Sequence, residues 1–273
     1  MDDAIISSPA NPHIKTLIAL RTRRTRSERA ECLVEGHAEV DLALRAGIAP
    51  IALYHCPELY PQTGSPGSPT ELLHAARERG ATVVRLTRAA FEKAAYRQGP
   101  DGILAVVPAL NAGLDALILG ERPLVIVAQG VEKPGNLGAM LRTADAAGVS
   151  ALIAADPVTD WGNPNVVRAS KGTVFAVQVA TATTEATLGW LADAGIPLLA
   201  TTPAAEQRYD EIDYRGPVAI AVGAERTGLD AAALTAATYR VSIPMHGLVD
   251  SLNVATTMAL VTFEAVRQRR QTW

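Results

Sequence analysis

Five polar side chains in three short segments could do chemistry together: Asn136 and Arg142, Glu225, and Ser251 with Asn253. Each segment follows an apolar run. LVIVAQ (124–129) leads into GVEKPGNLGAMLRTADAAG (130–148), VAIAV (218–222) into GAERTGL (223–229), and YRVSI (239–243) into PMHGLVDSLNV (244–254). Two amides, a guanidinium, a carboxylate and a hydroxyl can orient a nucleotide and balance charge developing on an oxygen. Gly223 and Gly228 flank Glu225 and let a ligand approach the backbone. Each piece also has a plain structural reading. Asn136 reads as a helix cap, Arg142 as solvated helix surface, Ser251 as an N-cap and the glycines as turn formers. Taken jointly those readings weaken, because all three segments leave strands of one expected sheet. Ligands of such sheets sit outside the carboxyl ends of the strands. The dinucleotide fingerprint, the phosphate loop, HExxH and GxSxG are all absent. His246, the one histidine in these segments, reads as a loop residue rather than a base.

The elements that must position these residues follow from hydrophobic patterning. Apolar runs at 124–128, 151–155, 197–200, 218–222 and 239–243 are near-continuous rather than alternating. That is the mark of parallel strands covered on both faces. Helical stretches at 137–147, 184–194, 229–237 and 252–269 separate them, so the fold class is α/β with a mostly parallel sheet. The first third alternates similarly. Helices are expected at 9–21, 37–45, 70–79 and 87–95, and strands at 32–35, 51–55, 82–86 and 103–107. The Pro/Gly/Ser-rich stretch 61–69 reads as a loop. Pro108 and Asn111-Ala112-Gly113 punctuate the chain. The expected organisation is a smaller domain over 1–108, a linker and lead-in helix over 109–119 (the helix at 114–119), and a second domain over 120–273.

The three segments resemble the three motifs of the SpoU/TrmH branch of the SPOUT methyltransferases. The first is PGNLGAMLRTADAAG, with Asn136 and Arg142. The second is Gly-x-Glu-x-x-Gly, here Gly223, Glu225 and Gly228. The third is Ile-Pro-Met-x-Gly followed by Ser-Leu-Asn-Val, here Ile243 to Gly247 and Ser251 to Val254. The match runs over about 120–273 in order. It departs at Lys133, where an Asp is usual. The resemblance implies methyl transfer from S-adenosylmethionine to a ribose 2'-OH of RNA, a deep C-terminal trefoil knot and an obligate homodimer. It implies catalytic roles for Arg142, Asn136, Glu225, Ser251 and Asn253, with Asn136 and Glu225 holding Arg142. It assigns cofactor contacts to Thr201, Gly223, Glu225, Gly228, Ile243, Pro244, Met245, Ser251 and Leu252. The order of elements in 1–108, with CLVEGHAEVDLALRAG (32–47) and GILAVVP (102–108), resembles an L30e-like RNA-binding domain. VVRASKGTVF (166–175) resembles a family segment whose arginine, here Arg168, contacts RNA. This layout favours large-subunit (23S) ribosomal RNA over tRNA, and leaves ribosome maturation and antibiotic resistance both open as roles.

Composition narrows the partners. The chain has 273 residues, a formal charge of -3, 48% apolar residues and 4% aromatics, so an anionic partner must meet a local patch. One patch is legible: Lys15, Arg21, Arg23, Arg24, Arg26 and Arg29 against Glu28 alone. Its structural reading is a solvated helix end and its functional reading is phosphate binding, assigned to Arg21, Arg23, Arg24 and Arg26. Scarce aromatics argue against base stacking there. Two dissimilar cysteines, Cys32 and Cys56, argue for a reducing compartment, against thiol chemistry and against structural zinc, and no metal is expected. No apolar run is long enough to span a membrane, and the acidic start lacks an apolar signal core, so a cytoplasmic protein is expected. Two rivals are kept. A nucleotide-dependent oxidoreductase lacks its glycine fingerprint here, and a silent RNA binder has no need of all five polar residues.

Overall fold

The computed structural model describes residues 4–61, 68–110 and 113–270. In chain order the first elements are β1 (Ala4–Ile6), α1 (Pro12–Ala19), α2 (Arg23–Arg29), β2 (Glu31–Glu35), α3 (His37–Arg45) and β3 (Ala52–His55). Then come α4 (Pro69–Glu78), β4 (Thr82–Leu86), α5 (Arg88–Ala94) and β5 (Ile103–Pro108). The remainder is β6 (Leu124–Gln129), α6 (Pro134–Ala147), β7 (Ala151–Ala155), α7 (Pro164–Ala169), β8 (Val179–Ala182) and α8 (Thr184–Asp193), followed by β9 (Leu198–Thr201), β10 (Val218–Val222), α9 (Ala231–Ala236), β11 (Tyr239–Val241) and α10 (Val254–Arg270).

The chain divides into two compact units. One comprises Met1–Leu110 with Asp160–Ala176, the other Asn111–Thr159 with Val177–Trp273. The sequence reading kept 160–176 with the second domain, whereas these residues pack with the first. Gly162 permits the approach, since a Cβ there would come within 2.8 Å of the Cys32 Cβ.

The first unit holds a sheet of order β1-β4-β3-β5-β2. β1, β4 and β3 run parallel, and β5 is antiparallel to both β3 and β2. Ile14, Leu17, Leu33, Phe91 and Leu104 fill its core. The basic stretch after Leu20 forms its own helix, α2. Thr22 caps it by accepting the Thr25 N–H at 3.4 Å, and Ala30 ends it with a left-handed φ of 52°. Ser68 starts α4 through a reciprocal capping box with Glu71, ahead of Pro69. The loop expected at 61–69 therefore gives way to helix at Pro69, and its residues 62–67 lie outside the described ones. The helix expected over 114–119 is a single 3-10 turn, Leu114–Ala116, with residues 111–112 of the lead-in also outside.

The second unit holds a sheet of order β11-β9-β10-β6-β7-β8 in which every pairing is parallel. Val125, Ile153, Leu191, Leu198 and Ala219 form part of its core. β6, β7 and β10 are buried along their whole length, as their unbroken apolar sequences require. From β6 the chain runs outward through β7 to β8, then crosses to β9 and returns to lay β10 beside β6. The order thus reverses between β6 and β10, which is where an open parallel sheet forms its ligand crevice.

Candidate active site

Register aligns the carboxyl ends of four neighbouring strands. Val222 pairs with Ala128, Ala221 with Ala200, and Val241 with Thr201. The loops after β6, β10 and β11 therefore leave one edge of the sheet, and Thr201 ends β9 between the last two. Its hydroxyl donates to the Ala221 carbonyl at 2.9 Å, which fixes that side chain across the strand ends. Gln129 at the end of β6, a residue the sequence reading missed, is buried. It donates to the Thr184 hydroxyl at 2.8 Å and accepts the Asp230 N–H at 3.0 Å. It thereby ties the β6 end to the starts of α8 and α9.

The loop after β10 folds back on itself. The Gly228 N–H donates to the Ala224 carbonyl at 2.9 Å, with Gly228 at a φ of 67°. A Cβ on Gly223 would overlap the backbone of Gly228 and Leu229, so only glycine allows this closure. Glu225 projects from the tight turn and is exposed.

Three of the five polar residues form one chain of hydrogen bonds. Asn136, in the first turn of α6, donates its amide to the Glu225 carboxylate. The Asn253 amide donates to the Asn136 Oδ1 at 3.1 Å, and Asn253 Oδ1 accepts the Ala255 N–H at 3.0 Å. A carboxylate can only accept, so it forces the Asn136 NH2 toward itself and the Asn136 oxygen toward Asn253. That in turn aims the Asn253 oxygen at the start of α10. One acidic residue thus sets the direction of both amides and links all three loops.

Two expectations are corrected. Ser251 does not cap the last helix. α10 starts at Val254, so Asn253 occupies the capping place and the Ser251 hydroxyl donates to Asp250 Oδ1 at 3.2 Å. Glu225 does not hold Arg142 either. Six residues along a helix amount to a rise of about 9 Å and a rotation of about 120° away from Asn136. Arg142 is exposed and, among the described residues, has no hydrogen-bond or ion-pair partner.

After β11, the stretch from Ile243 leaves its backbone groups unpaired among the described residues. Ile243, Pro244 and Met245 are half-buried, and among the described residues the backbone from Ile243 to Leu252 has no hydrogen-bond partner. Residues 246–252 are exposed, so the half-buried Ile243–Met245 stretch is the part whose peptide groups are open to a ligand's polar edge. They stand at the same sheet edge as the glycine-only turn at Gly223 and the fixed Thr201. His246 is exposed on the same loop.

In the first unit the basic residues have diverged. Arg26 is 3% exposed, with its guanidinium on Asp160 at 2.9 and 2.5 Å and on the carbonyls of Leu20 and Arg21 at 3.0 and 2.8 Å. Arg21 reaches the carbonyls of Lys93, Ala94 and Ala95 at the end of α5, at 3.2, 3.0 and 2.8 Å. Both are engaged inside the unit, which takes Arg26 out of reach of a phosphate. Arg24 is exposed beside Glu28 at 2.7 Å, and Arg23 also lies on α2. Arg168 is exposed on α7, donating to Asn165 Oδ1 at 3.2 Å. Cys32 and Cys56 are buried and unbridged, and burial pushes the Cys32 thiol up to about 12, so it is protonated at neutral pH. Among the described residues no group of three His, Cys, Asp or Glu could hold a metal ion.

This architecture has named counterparts. The profile of the SpoU rRNA Methylase family matches residues 123–263, and that of an MRM3-like substrate binding domain matches residues 11–105. A 23S rRNA (guanosine-2'-O-)-methyltransferase of Ralstonia nicotianae is 36% identical, covering 73% of this chain and 82% of its own length. A 23S rRNA (uridine(2479)-2'-O)-methyltransferase of Streptomyces viridochromogenes is 32% identical over 93% of this chain and 88% of its own length. The crystal structure of an AdoMet-bound rRNA methyltransferase from Sinorhizobium meliloti superposes with a TM-score of 0.87 at 30% identity, covering 98% of each chain. The fold is that of an α/β methyltransferase. The chain belongs to the SpoU rRNA methylase family.

Proposed function

We propose that this enzyme methylates a ribose 2'-OH in 23S ribosomal RNA with S-adenosylmethionine as donor. The observation that carries the reading is the Glu225–Asn136–Asn253 chain, which joins the three strand-end loops at one edge of a parallel sheet. When bound, S-adenosylmethionine supplies a methyl group on a positively charged sulfur. Gly223, Gly228, Ile243, Pro244, Met245 and Leu252 offer backbone and apolar surface to it, with Thr201, Glu225 and Ser251 at the rim. The ribose hydroxyl is a weak nucleophile and must shed its proton as its oxygen takes the methyl. Arginine stays protonated in proteins, which makes it a poor base. Arg142, exposed and unpaired, instead serves as the cation that binds the neighbouring phosphate and offsets charge on the ribose oxygen, leaving the phosphate to accept the proton. Asn136, Glu225 and Asn253 hold the loops in register for that contact.

Residues 1–108 act in this reading as the RNA-binding domain, with Arg23 and Arg24 as phosphate contacts, and Arg168 of the 160–176 segment that packs with them adds a third. Residues 120–159 and 177–273 act as the methyltransferase domain. A C-terminal knot fits the path from β11, at one edge of the sheet, back to α10 packed on α6 and β10. A homodimer fits the outer face of α10. Leu260 and Phe263 are 40% and 46% exposed there, in a stripe with Thr256 and Arg267. Leu260→Glu with Phe263→Glu should convert a sedimenting dimer to a monomer; an unchanged sedimentation coefficient would discard this face. Among the described residues no helix is long and apolar enough to cross a membrane, and we assign the enzyme to the cytoplasm, where ribosomal RNA is processed.

The test is tritiated S-adenosylmethionine with purified protein and, separately, large-subunit rRNA, small-subunit rRNA, bulk tRNA and intact ribosomal subunits, followed by nuclease mapping. One labelled 2'-O-methyl nucleotide in large-subunit rRNA is expected. Label confined to tRNA would overturn the target, and no label on any substrate would overturn the enzymatic reading.

A further inference from the structure

Tyr96 is, among the described residues, the one large aromatic side chain of the first unit that is more than a third exposed, at 38%. Exposure alone means little, but this ring is held from three sides. The Arg21 guanidinium lies over it at 5.8 Å from the ring centroid. The Asn165 amide from α7 donates to its hydroxyl at 3.0 Å. The Glu35 carboxylate accepts the Tyr96 N–H at 2.8 Å and the Arg97 N–H at 3.2 Å, which fixes the turn that carries the ring. Arg21 is itself locked on the carbonyls at the end of α5, so the cation behind the ring cannot swing away.

Tyr96, Arg97, Glu35, Pro164, Val167 and Arg168 line a small recess beside the ring. Pro164 and Val167 bring buried apolar surface to it, and Arg97 and Arg168 bring cations. Arg97 leans toward Asp101 at 3.5 Å. Arg168 donates to the neutral Asn165 and, among the described residues, pairs with no carboxylate. Glu35, the acid in the lining, faces the turn and is occupied by two backbone N–H groups. A flat aromatic surface backed by a cation, with an uncancelled guanidinium at its edge, suits an unpaired nucleobase with its phosphate attached. A folded protein partner would need a larger apolar surface than this single ring offers.

We propose that Tyr96 is a stacking platform for an unpaired base of the RNA, with Arg168 taking the adjacent phosphate. The inference rests on the reading of RNA as substrate, and it adds a mode of recognition that the scarcity of aromatics argued against. Base-specific contacts require single-stranded or looped RNA, because bases in a helix are not available to stack on a side chain.

The test compares two fluorescein-labelled 12-mers at one salt concentration: oligoadenylate and an abasic ribose-phosphate chain of equal charge. Wild type should bind the base-bearing strand roughly ten-fold tighter. Tyr96→Ala and the apolar but non-aromatic Tyr96→Leu should lose that difference while still binding both strands. Tyr96→Phe should keep it, and circular dichroism should show all variants folded. No discrimination by wild type, or discrimination that survives in Tyr96→Leu, would overturn the platform. The same preparations are assayed for methyl transfer to large-subunit rRNA. Activity in wild type alongside Tyr96-independent RNA binding would remove this inference alone, whereas no RNA binding and no transfer by wild type would remove the functional reading with it.

Discussion

Arg142→Ala should lower methyl transfer by about 10²–10³-fold or more while leaving S-adenosylmethionine affinity within about two-fold. The expectation follows from its place in the fold. Arg142 sits two turns into α6, on a different face from Asn136, exposed and without an acidic partner among the described residues. A structural arginine in this protein looks different: Arg26 and Arg269 both spend their donors on internal acceptors. Removing an exposed, unpaired guanidinium costs the fold little. Its free donors are available to a phosphate and to charge appearing on the ribose oxygen only as the reaction proceeds, so the loss should fall on kcat more than on cofactor binding. Arg142→Lys keeps the charge without the two-pronged donor geometry and should recover only part of the rate. Single-turnover rates with tritiated donor, and calorimetric titration of the cofactor, read the two quantities separately. Wild-type turnover in Arg142→Ala would remove it from the reaction, and lost cofactor binding would make it a binding residue instead.

The parallel sheet was legible because β6, β7 and β10 are covered on both faces and so carry unbroken apolar runs. Elements without such a pattern were not. β1 has three residues and β8 reads VATA, too short to show a period. α2, RRTRSER, has no apolar stripe; its Thr22 cap and the burial of Arg26 hold it as a helix. α7 could have been found from Asn163-Pro164, a cap followed by the favoured first-turn proline, since Asn163 Oδ1 does accept the Asn165 N–H at 2.9 Å. In the site, the residue types could be picked out in the sequence, but their wiring could not. Whether Glu225 meets Arg142 or Asn136 depends on which helix face turns toward the β10 loop, and whether Ser251 or Asn253 caps α10 depends on where that helix begins. Both are decided by tertiary packing. The basic stretch makes the same point: Arg24 and Arg26 stand two residues apart, yet one is solvated and the other is almost completely buried.

That divergence carries the second large prediction. Arg26→Ala should destabilise the protein by about 3 kcal/mol, the lower end of the cost of breaking a buried ion pair. The lower end applies because the Asp160 side chain keeps 27% of its exposure. The substitution leaves Asp160 half-buried without its two-pronged partner and strips donors from the carbonyls of Leu20 and Arg21. For a chain of this size the melting temperature should fall by on the order of 5–10 °C. Arg24→Ala provides the contrast. Its side chain is 87% exposed, and its ion pair with Glu28 is worth little in water, so stability should hold within about 0.5 kcal/mol. RNA affinity should respond in the opposite order. Arg24→Ala should flatten the salt dependence of binding by somewhat under one unit of logarithmic slope, while folded Arg26→Ala, assayed well below its transition, should keep the wild-type slope. Thermal unfolding together with a salt titration of RNA binding separates the two roles. An Arg26→Ala protein that melts like wild type yet binds RNA with a reduced slope would return Arg26 to the RNA surface and contradict its burial against Asp160. The predicted pair of results instead makes the Arg26–Asp160 contact the clamp that seats residues 160–176 on the first unit, the same segment whose α7 supplies Asn165 and Arg168 beside Tyr96.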